Sequence, residues 1–328
     1  MTGGPPVRYR TTMPAPHRLR GPPTRVIARR GLIREAHENT LAAFEAALNA
    51  GAHGVAIDVG TTRDGTLVCF RDEPETRRRL LGDDDRPLAE RDLGEVRALT
   101  LAQEIRYPAG ALSYRTRGVV ARLEDALALL PRAATVVLHL APQTLGLPSA
   151  PSYRVPGRTA ELVERMGLCD RAILISSDAF ALHRARRATR GRVRTAYQWA
   201  DSTSPVRAWE ERGRSSWSLR EGFGRSIDRL KTSGPARRLL GSATAAAIEF
   251  TALGVDLLHD LSAAGALTGT FTLFPIELSG LSHGLDGTLQ ARILARLVGA
   301  GLDWVETDDP RWACAVVDRG WVGALEHV

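Results

Sequence analysis

The sequence has almost no lysine and little cysteine. Lys231 is the only lysine among 44 basic residues, and three cysteines are spread over 328 residues. So few thiols, in an odd number, exclude a small disulfide-bonded scaffold and are typical of a reducing compartment. The near-complete use of arginine for lysine, with abundant Ala, Gly, Leu and Val, is typical of a GC-rich genome.

Long apolar runs are also missing. No run approaches the roughly 18 residues that a membrane helix needs, and the basic N-terminus lacks the apolar segment of a secretory signal. We therefore expect a cytoplasmic protein with no membrane span. The net charge of +7 invites a nucleic-acid partner. The basic residues are not clustered with aromatic residues, however, so we expect no nucleic acid to bind.

Short apolar runs alternate with helical patterns along most of the chain. Residues 1–22, rich in Pro, Gly and Arg, predict a flexible tail, and residues 23–328 predict a single domain. Close to eight strand–helix units predict a parallel sheet closed into a TIM (β/α)8 barrel. The run Leu67–Phe70 follows the preceding strand after one tight turn, so it predicts a hairpin partner outside the barrel. The predicted barrel strands are Arg25–Ala28, Gly54–Val59, Thr135–Leu140, Ala172–Ser176, Arg194–Gln198, Ala246–Phe250, Thr270–Phe274 and Trp304–Glu306.

Two segments exceed a minimal barrel. Residues 72–118 carry many charges, and residues 200–244 contain two tryptophans and an amphipathic pattern. Insertions at the carboxyl ends of barrel strands often cover the active site. We expect both on the active-site face, either as lid elements or as surface elaborations.

Several spaced motifs resemble those of the glycerophosphodiester phosphodiesterase family. They occur in the family's order, and the resemblance implies a TIM barrel with a small insertion after its second strand. The segments that carry the resemblance are Ala28-Arg29-Arg30-Gly31, His37-Glu38-Asn39-Thr40, Ala56-Ile57-Asp58-Val59, Phe70-Arg71-Asp72, Leu123-Glu124-Asp125 and Thr307-Asp308-Asp309-Pro310.

The departures from the family pattern fall on its chemistry. Arg29 and Arg71 stand where the resemblance implies the general acid and base histidines, and arginine does not shuttle protons. Ala56 stands where the family has a metal-binding Glu, and a further metal Glu corresponds to His139. From these changes we expect neither a metal nor any other cofactor. One carboxylate, Asp58, would then face three guanidinia.

The site residues expected from the sequence fall into two groups. The arginines are read as an anion clamp or as salt-bridge partners of Asp58 and Asp72. We interpret His139 either as an acid–base group or as a histidine of the core. Glu249 and Glu277 lie in apolar strands and are interpreted either as acids or as residues at solvated strand ends. The catalytic candidates are Asp58, His139 and Glu249. The substrate-binding candidates are Arg29, Arg30, Arg71, Glu38, Trp199 and Glu277.

Three functions are consistent with this reading. The leading expectation is a repurposed, metal-independent enzyme of the cyclase, lyase or isomerase type. It would act on a small anionic or enolisable molecule, in natural product biosynthesis. The alternatives are a pseudoenzyme that binds an anion or a partner without turnover, and a divergent glycerophosphodiester phosphodiesterase. The sequence leaves the oligomeric state open.

Overall fold

The computed structural model describes residues 24–82, 84, 86–107, 110–141, 151–199, 244–250, 253–263, 265–273 and 287–319. The predicted tail at 1–22, nearly all of segment 200–244, and Glu277 lie outside the described residues. The described strands are β1 (Arg25–Arg29), β2 (Gly54–Thr61), β3 (Leu67–Cys69), β4 (Glu104–Tyr107), β5 (Gly110–Ser113), β6 (Thr135–Leu140), β7 (Ala172–Ser176), β8 (Arg194–Trp199), β9 (Ala245–Glu249), β10 (Leu267–Leu273) and β11 (Trp304–Thr307).

Helices follow most of the strands and cover the outside of the sheet. No helix in the described part of the chain is long and apolar enough to cross a membrane. The described helices are α1 (Leu41–Asn49), α2 (Pro74–Leu81), α3 (Leu93–Ala98), α4 (Leu123–Leu129), α5 (Val155–Arg165), α6 (Ala179–Ala188), α7 (Val255–Ala263), α8 (Gly287–Gly299) and α9 (Pro310–Arg319), with 3-10 turns at Leu88–Glu90 and Pro151–Arg154.

Eight parallel strands close into a barrel. Their order around the barrel is β1, β2, β6, β7, β8, β9, β10 and β11. The ring closes where β1 pairs with β11, with Arg25 opposite Trp304. The predicted TIM barrel is confirmed. The predicted and observed bounds agree for Thr135–Leu140 and Ala172–Ser176, whereas the strand predicted at Thr270–Phe274 begins three residues earlier, at Leu267.

Alternate residues of each barrel strand face the lumen. The lumen core includes Ile27, Ala56, Val137 and Trp304, each at most 1% exposed. The Trp304 ring occupies so much of this space that β10 must carry glycine beside it. A Cβ at Gly269 would lie 1.9 Å from that ring. The opposite faces of the strands pack against the helices.

The segment after β3 forms a small layer on one side of the mouth. β3 pairs antiparallel with β2, which confirms the predicted hairpin. Helices α2 and α3 and the β4–β5 hairpin then follow. They share an apolar core with β3, formed by Val68, Phe70, Leu80, Leu88, Val96, Leu101, Ile105 and Val120. This layer therefore has its own packing and borders the carboxyl end of β2.

Candidate functional site

The loop between β1 and α1 reverses the chain at the carboxyl end of the barrel. Arg30 and Gly31 both adopt positive φ, at 60° and 87°. Glycine is required at position 31, because a Cβ there would lie 2.5 Å from the backbone carbon of Ala43. The Arg30 amide donates to the Ala56 carbonyl at 2.8 Å. This bond fixes the loop against β2 and brings the Arg30 side chain to the mouth.

Asp58, near the carboxyl end of β2, organises this loop. The Asn39 side chain donates to Asp58 Oδ2 and accepts from the Asp58 amide, both at 3.0 Å. Arg30 Nε lies 2.7 Å from the same carboxylate oxygen. Burial opposes ionisation, but Arg30 and then Arg71 hold the pKa of Asp58 well below its usual range. Asp58, a catalytic candidate from the sequence, is thus a fixed anion that anchors the loop, and its low pKa makes it a weak base.

Arg71 and Arg29 differ in how far their charges are compensated. Arg71 lies 2.8 Å from Glu73 and 3.7 Å from Asp58, with 34% of its side chain exposed. Arg29 ends β1 and has no carboxylate within ion-pair distance among the described residues. Burial, and then the neighbouring Arg30, lower the pKa of Arg29. Among the described residues, the charge of Arg29 is therefore less well compensated than that of Arg71.

Glu38 links the mouth to the layer after β3. Its buried carboxylate lies 3.2 Å from Arg30 and 3.0 Å from Arg79 of α2. The Arg79 guanidinium in turn lies over the Tyr107 ring, 5.2 Å from its centre. Glu38 is a predicted site residue. Arg79 was not predicted, because no motif in the sequence connects the two residues. With both oxygens facing arginines, Glu38 positions Arg30.

His139 and Glu306 meet inside the barrel. His139 Nε2 and Glu306 Oε2 are hydrogen-bonded at 2.7 Å, and the Glu306 side chain is fully buried. The Trp304 indole lies 3.4 Å from the other carboxylate oxygen. His139 is a predicted catalytic residue, whereas Glu306 was not predicted from the sequence. The two-residue period of β11, counted back from Asp308 at the strand end, was the signal that would have placed Glu306 in the lumen.

A cavity opens at this end of the barrel beside His139. Its volume is about 250 Å³, and its lining includes Asp58, Arg71, His139, Ser177 and Gln198. Asp58 and His139 are register partners on the adjacent strands β2 and β6. Their expected proximity at one mouth is therefore what the structure shows.

The structure places the other expected site residues differently. Trp199 packs in the apolar cluster on the helix-facing side of the barrel, so the structure does not place it in the lumen; its neighbour Gln198 lines the cavity instead. Glu249 is buried at the end of β9, two residues after Ala247, and therefore falls on the lumen face of that strand. Asp72 is held by Arg77 at 2.6 Å and accepts the Leu88 amide, so it braces the layer after β3.

The expected charge balance was wrong. Besides Asp58, the carboxylates of Glu38 and Glu306 lie at or below the mouth. Glu38 was among the expected substrate-binding residues, whereas Glu306 comes from a strand position that no motif tied to the site. The expectation of one carboxylate facing three guanidinia therefore overstated the positive charge.

The described donors do not fit the metal site that the family resemblance implies. No group of three or more His, Cys, Asp or Glu side chains in the described ranges is arranged to hold a metal ion. Asp58 is engaged by Arg30 and Asn39, and Ala56 offers no donor atom. His139 already uses Nε2 on Glu306.

Comparisons with known proteins agree with this architecture. The model of the glycerophosphoryl diester phosphodiesterase family matches residues 30–217. A Mycobacterium tuberculosis protein named probable glycerophosphodiester phosphodiesterase 1 is 34% identical over 177 residues, which are 50% of this chain and 60% of that protein. The matched region thus spans less than two thirds of that relative.

Solved structures share the fold. A Silicibacter pomeroyi protein assigned to the glycerophosphoryl diester phosphodiesterases gives a TM-score of 0.65 at 20% identity, covering 92% of this chain and 95% of that one. An Oleispira antarctica phosphodiesterase, solved with its product sn-glycerol-3-phosphate, gives 0.59 at 22% identity, covering 90% and 96%.

The fold and the motif-bearing mouth define a phosphodiesterase-like barrel. The chain belongs to the glycerophosphoryl diester phosphodiesterase family. This finding, with relatives that are named phosphodiesterases, corrects the leading expectation from the sequence. The expectation of a non-hydrolytic, metal-independent cyclase, lyase or isomerase of natural product biosynthesis was wrong, and the comparisons favour the hydrolytic alternative.

Proposed function

We propose that this protein hydrolyses small glycerophosphodiesters to a glycerol phosphate and an alcohol. The family supplies the reaction class, and the Oleispira antarctica relative binds sn-glycerol-3-phosphate, an anion of the size and charge that the mouth would accept. The proposal is carried by Arg29, a guanidinium at the barrel mouth with no carboxylate partner among the described residues.

Arginine suits a phosphodiester because its planar fork donates two parallel hydrogen bonds to tetrahedral oxygens. Arg29 is the register partner of Ala56, two residues before Asp58 on β2, and the partly exposed Arg71 lies 3.7 Å from Asp58, so both belong to the part of the mouth around that carboxylate. Arg30 is already committed to Asp58 and Glu38. Arg29 and Arg71 would therefore bind the phosphate, while Arg30 holds the loop.

The size of the cavity bears on the substrate. Pockets for drug-sized ligands typically measure about 300–1,000 Å³, and this cavity measures about 250 Å³. The polar groups in its lining, Asp58, Arg71, His139 and Gln198, suit a hydrated headgroup rather than acyl chains. These features favour a deacylated diester, such as glycerophosphocholine or glycerophosphoethanolamine, over an intact phospholipid.

The test is to follow both diesters by ³¹P NMR and by release of glycerol phosphate, in buffer with Mg²⁺ and in buffer with EDTA. Hydrogen bonds to charged groups contribute about 1.5–3 kcal/mol. Arg29→Ala and Arg71→Ala should therefore each raise KM by about 10- to 150-fold. Arg78→Ala is the control, because Arg78 is exposed on α2.

The outcomes separate the functions. Hydrolysis by the unmodified protein that is weakened in both mouth variants supports the proposal. Binding of glycerol phosphate by calorimetry with no turnover of either diester would favour the non-catalytic alternative. Hydrolysis that is unaffected by loss of Arg29 would show that the phosphate is bound elsewhere.

A further inference from the structure

We propose that His139 and Glu306 form the proton-transfer pair of this site, with His139 as the catalytic acid–base residue and Glu306 as its positioning residue. The inference rests on the proposed hydrolysis and names the group that moves its protons. Positions 29 and 71 carry guanidinia, which stay protonated at any working pH. The acid–base group must then come from another part of the mouth.

The pair is built across the barrel. β6 and β11 are not neighbours, since β2 and β1 lie between them on the shorter way round. His139 and Glu306 nonetheless reach each other at 2.7 Å. Both positions fall on the lumen face of their strands, as Val137 and Trp304 do two residues earlier. Two long polar side chains thus meet in a lumen that is otherwise packed with apolar side chains.

Stability does not account for this contact. Glu306 is 0% exposed, and a buried carboxylate is costly unless it is paired. Replacing such a pair by apolar residues of similar volume is often neutral or stabilising. A buried carboxylate hydrogen-bonded to an imidazole beside a cavity is instead what proton transfer requires, because the carboxylate stabilises the imidazolium that forms.

The hydrogen bond also sets the tautomer. With two donors around it, His139 Nε2 and the Trp304 indole, the Glu306 carboxylate accepts and Nε2 carries the proton. Nδ1 is then the basic nitrogen in the neutral ring. It has no hydrogen-bond partner among the described residues, and His139 lines the cavity together with Arg71. A diester held by Arg29 and Arg71 would therefore lie within reach of this ring.

The reaction balances with water alone as co-reactant. The water oxygen attacks phosphorus while its proton passes to His139 Nδ1. The bond from phosphorus to the leaving alcohol oxygen breaks, and that oxygen takes the proton from Nδ1. His139 returns to its starting state, Glu306 exchanges no proton with the substrate, and one water is consumed for each diester.

The test compares two leaving groups. On glycerophosphocholine, whose leaving alcohol needs a proton, His139→Gln should lower kcat by about 10²- to 10⁴-fold. On a p-nitrophenyl phosphodiester, whose leaving group departs without a proton, the loss should be at least tenfold smaller. His183→Gln is the control, because His183 is exposed on α6.

Glu306→Gln tests the positioning role and has the same shape as the native residue. It should lower kcat with little change in KM and move the acid limb of the kcat profile to lower pH, because the neutral amide no longer stabilises the imidazolium. This second variant also decides the matter if His139→Gln lowers the melting temperature too far to be assayed.

Each failure has its own signature. If the unmodified protein cleaves the diesters and His139→Gln keeps its kcat and pH profile, the proton-transfer pair is wrong and the hydrolase proposal stands. If the unmodified protein cleaves neither substrate, the hydrolase proposal and the pair built on it both fail. An equal loss on both leaving groups, with an unchanged pH profile in Glu306→Gln, would assign the pair a merely structural role.

Discussion

Replacing Asp58 by Asn removes one buried charge without creating a cavity. The Asn39 side chain keeps an oxygen to donate to, but Arg30, 2.7 Å away, and Arg71, 3.7 Å away, lose their common anion. Breaking a buried ion pair by removing one partner costs about 3–5 kcal/mol. Arg30 retains Glu38 at 3.2 Å, so we expect the lower end, about 3 kcal/mol. The loop from β1 to α1 should loosen first.

The assay is chemical denaturation at neutral pH with a thermal scan beside it. In a domain of this size, 1 kcal/mol moves the melting temperature by about 2–4 °C, so the variant should melt about 6–12 °C lower. Glu104→Gln is the control, because Glu104 pairs with Arg106 at the surface of the β4–β5 hairpin. Glu104→Gln should leave the denaturation midpoint unchanged, because surface ion pairs contribute little to stability. A loss below about 1 kcal/mol in Asp58→Asn would refute the view that this carboxylate anchors the loop.

Asp58→Asn should also change how the free energy of unfolding depends on pH in acid. The guanidinia hold the pKa of Asp58 low in the native state, while the unfolded chain takes up a proton near its usual pKa of about 3.9. Below that pH the unfolded state binds more protons, so native stability falls as pH falls, by up to about 1.4 kcal/mol per pH unit from this group. Asp58→Asn lacks this contribution. The stability gap between the two proteins should therefore narrow as pH drops below about 4.

Other residues give further expectations. Gly31→Ala should lower the free energy of unfolding by more than about 1 kcal/mol, since the new Cβ meets the Ala43 backbone at a positive φ; an unchanged denaturation midpoint would contradict the loop geometry. Thr40→Ala should cost about 1 kcal/mol, because the Thr40 side chain accepts the Ala43 amide at the start of α1; Thr40→Ser should restore most of it. In a thiol titration of the native protein, Cys169 should react before Cys69 and Cys314, which are buried; burial raises the pKa of Cys314 to about 11, and a fast reaction at Cys69 would contradict its burial.

The sequence predicted the barrel well because its signals are local. Apolar runs such as Thr135–Leu140 and Ala172–Ser176 have the length and composition of buried parallel strands, and helices separate them. The hairpin of β3 followed from a four-residue turn. The bounds of β10 were less accurate, because Gly269 and the small residues around it weaken the strand pattern.

The candidate site was only partly predictable, because its contacts join residues far apart in the chain. Glu306 and His139 are 167 positions apart, and Arg79 and Glu38 are 41. Nothing in the local pattern pairs them. The assignment of Trp199 to the site followed residue type rather than strand parity. The two-residue period would have directed attention to Gln198 instead.

The pairing of β1 with β11 has a consequence for biosynthesis. Arg25 pairs with Trp304, 279 positions later in the chain. Glu306 and Asp308 reach the mouth only when that last strand is in place. Because the chain is synthesised from its amino end, Arg29 and Asp58 therefore leave the ribosome long before the last strand that surrounds them has been made. Until then the edges of β1 and β10 are unpaired, and open edges are sites of aggregation. Nascent chains arrested before β11 should depend on holdase chaperones and bind no phosphate, and both properties should change together on release.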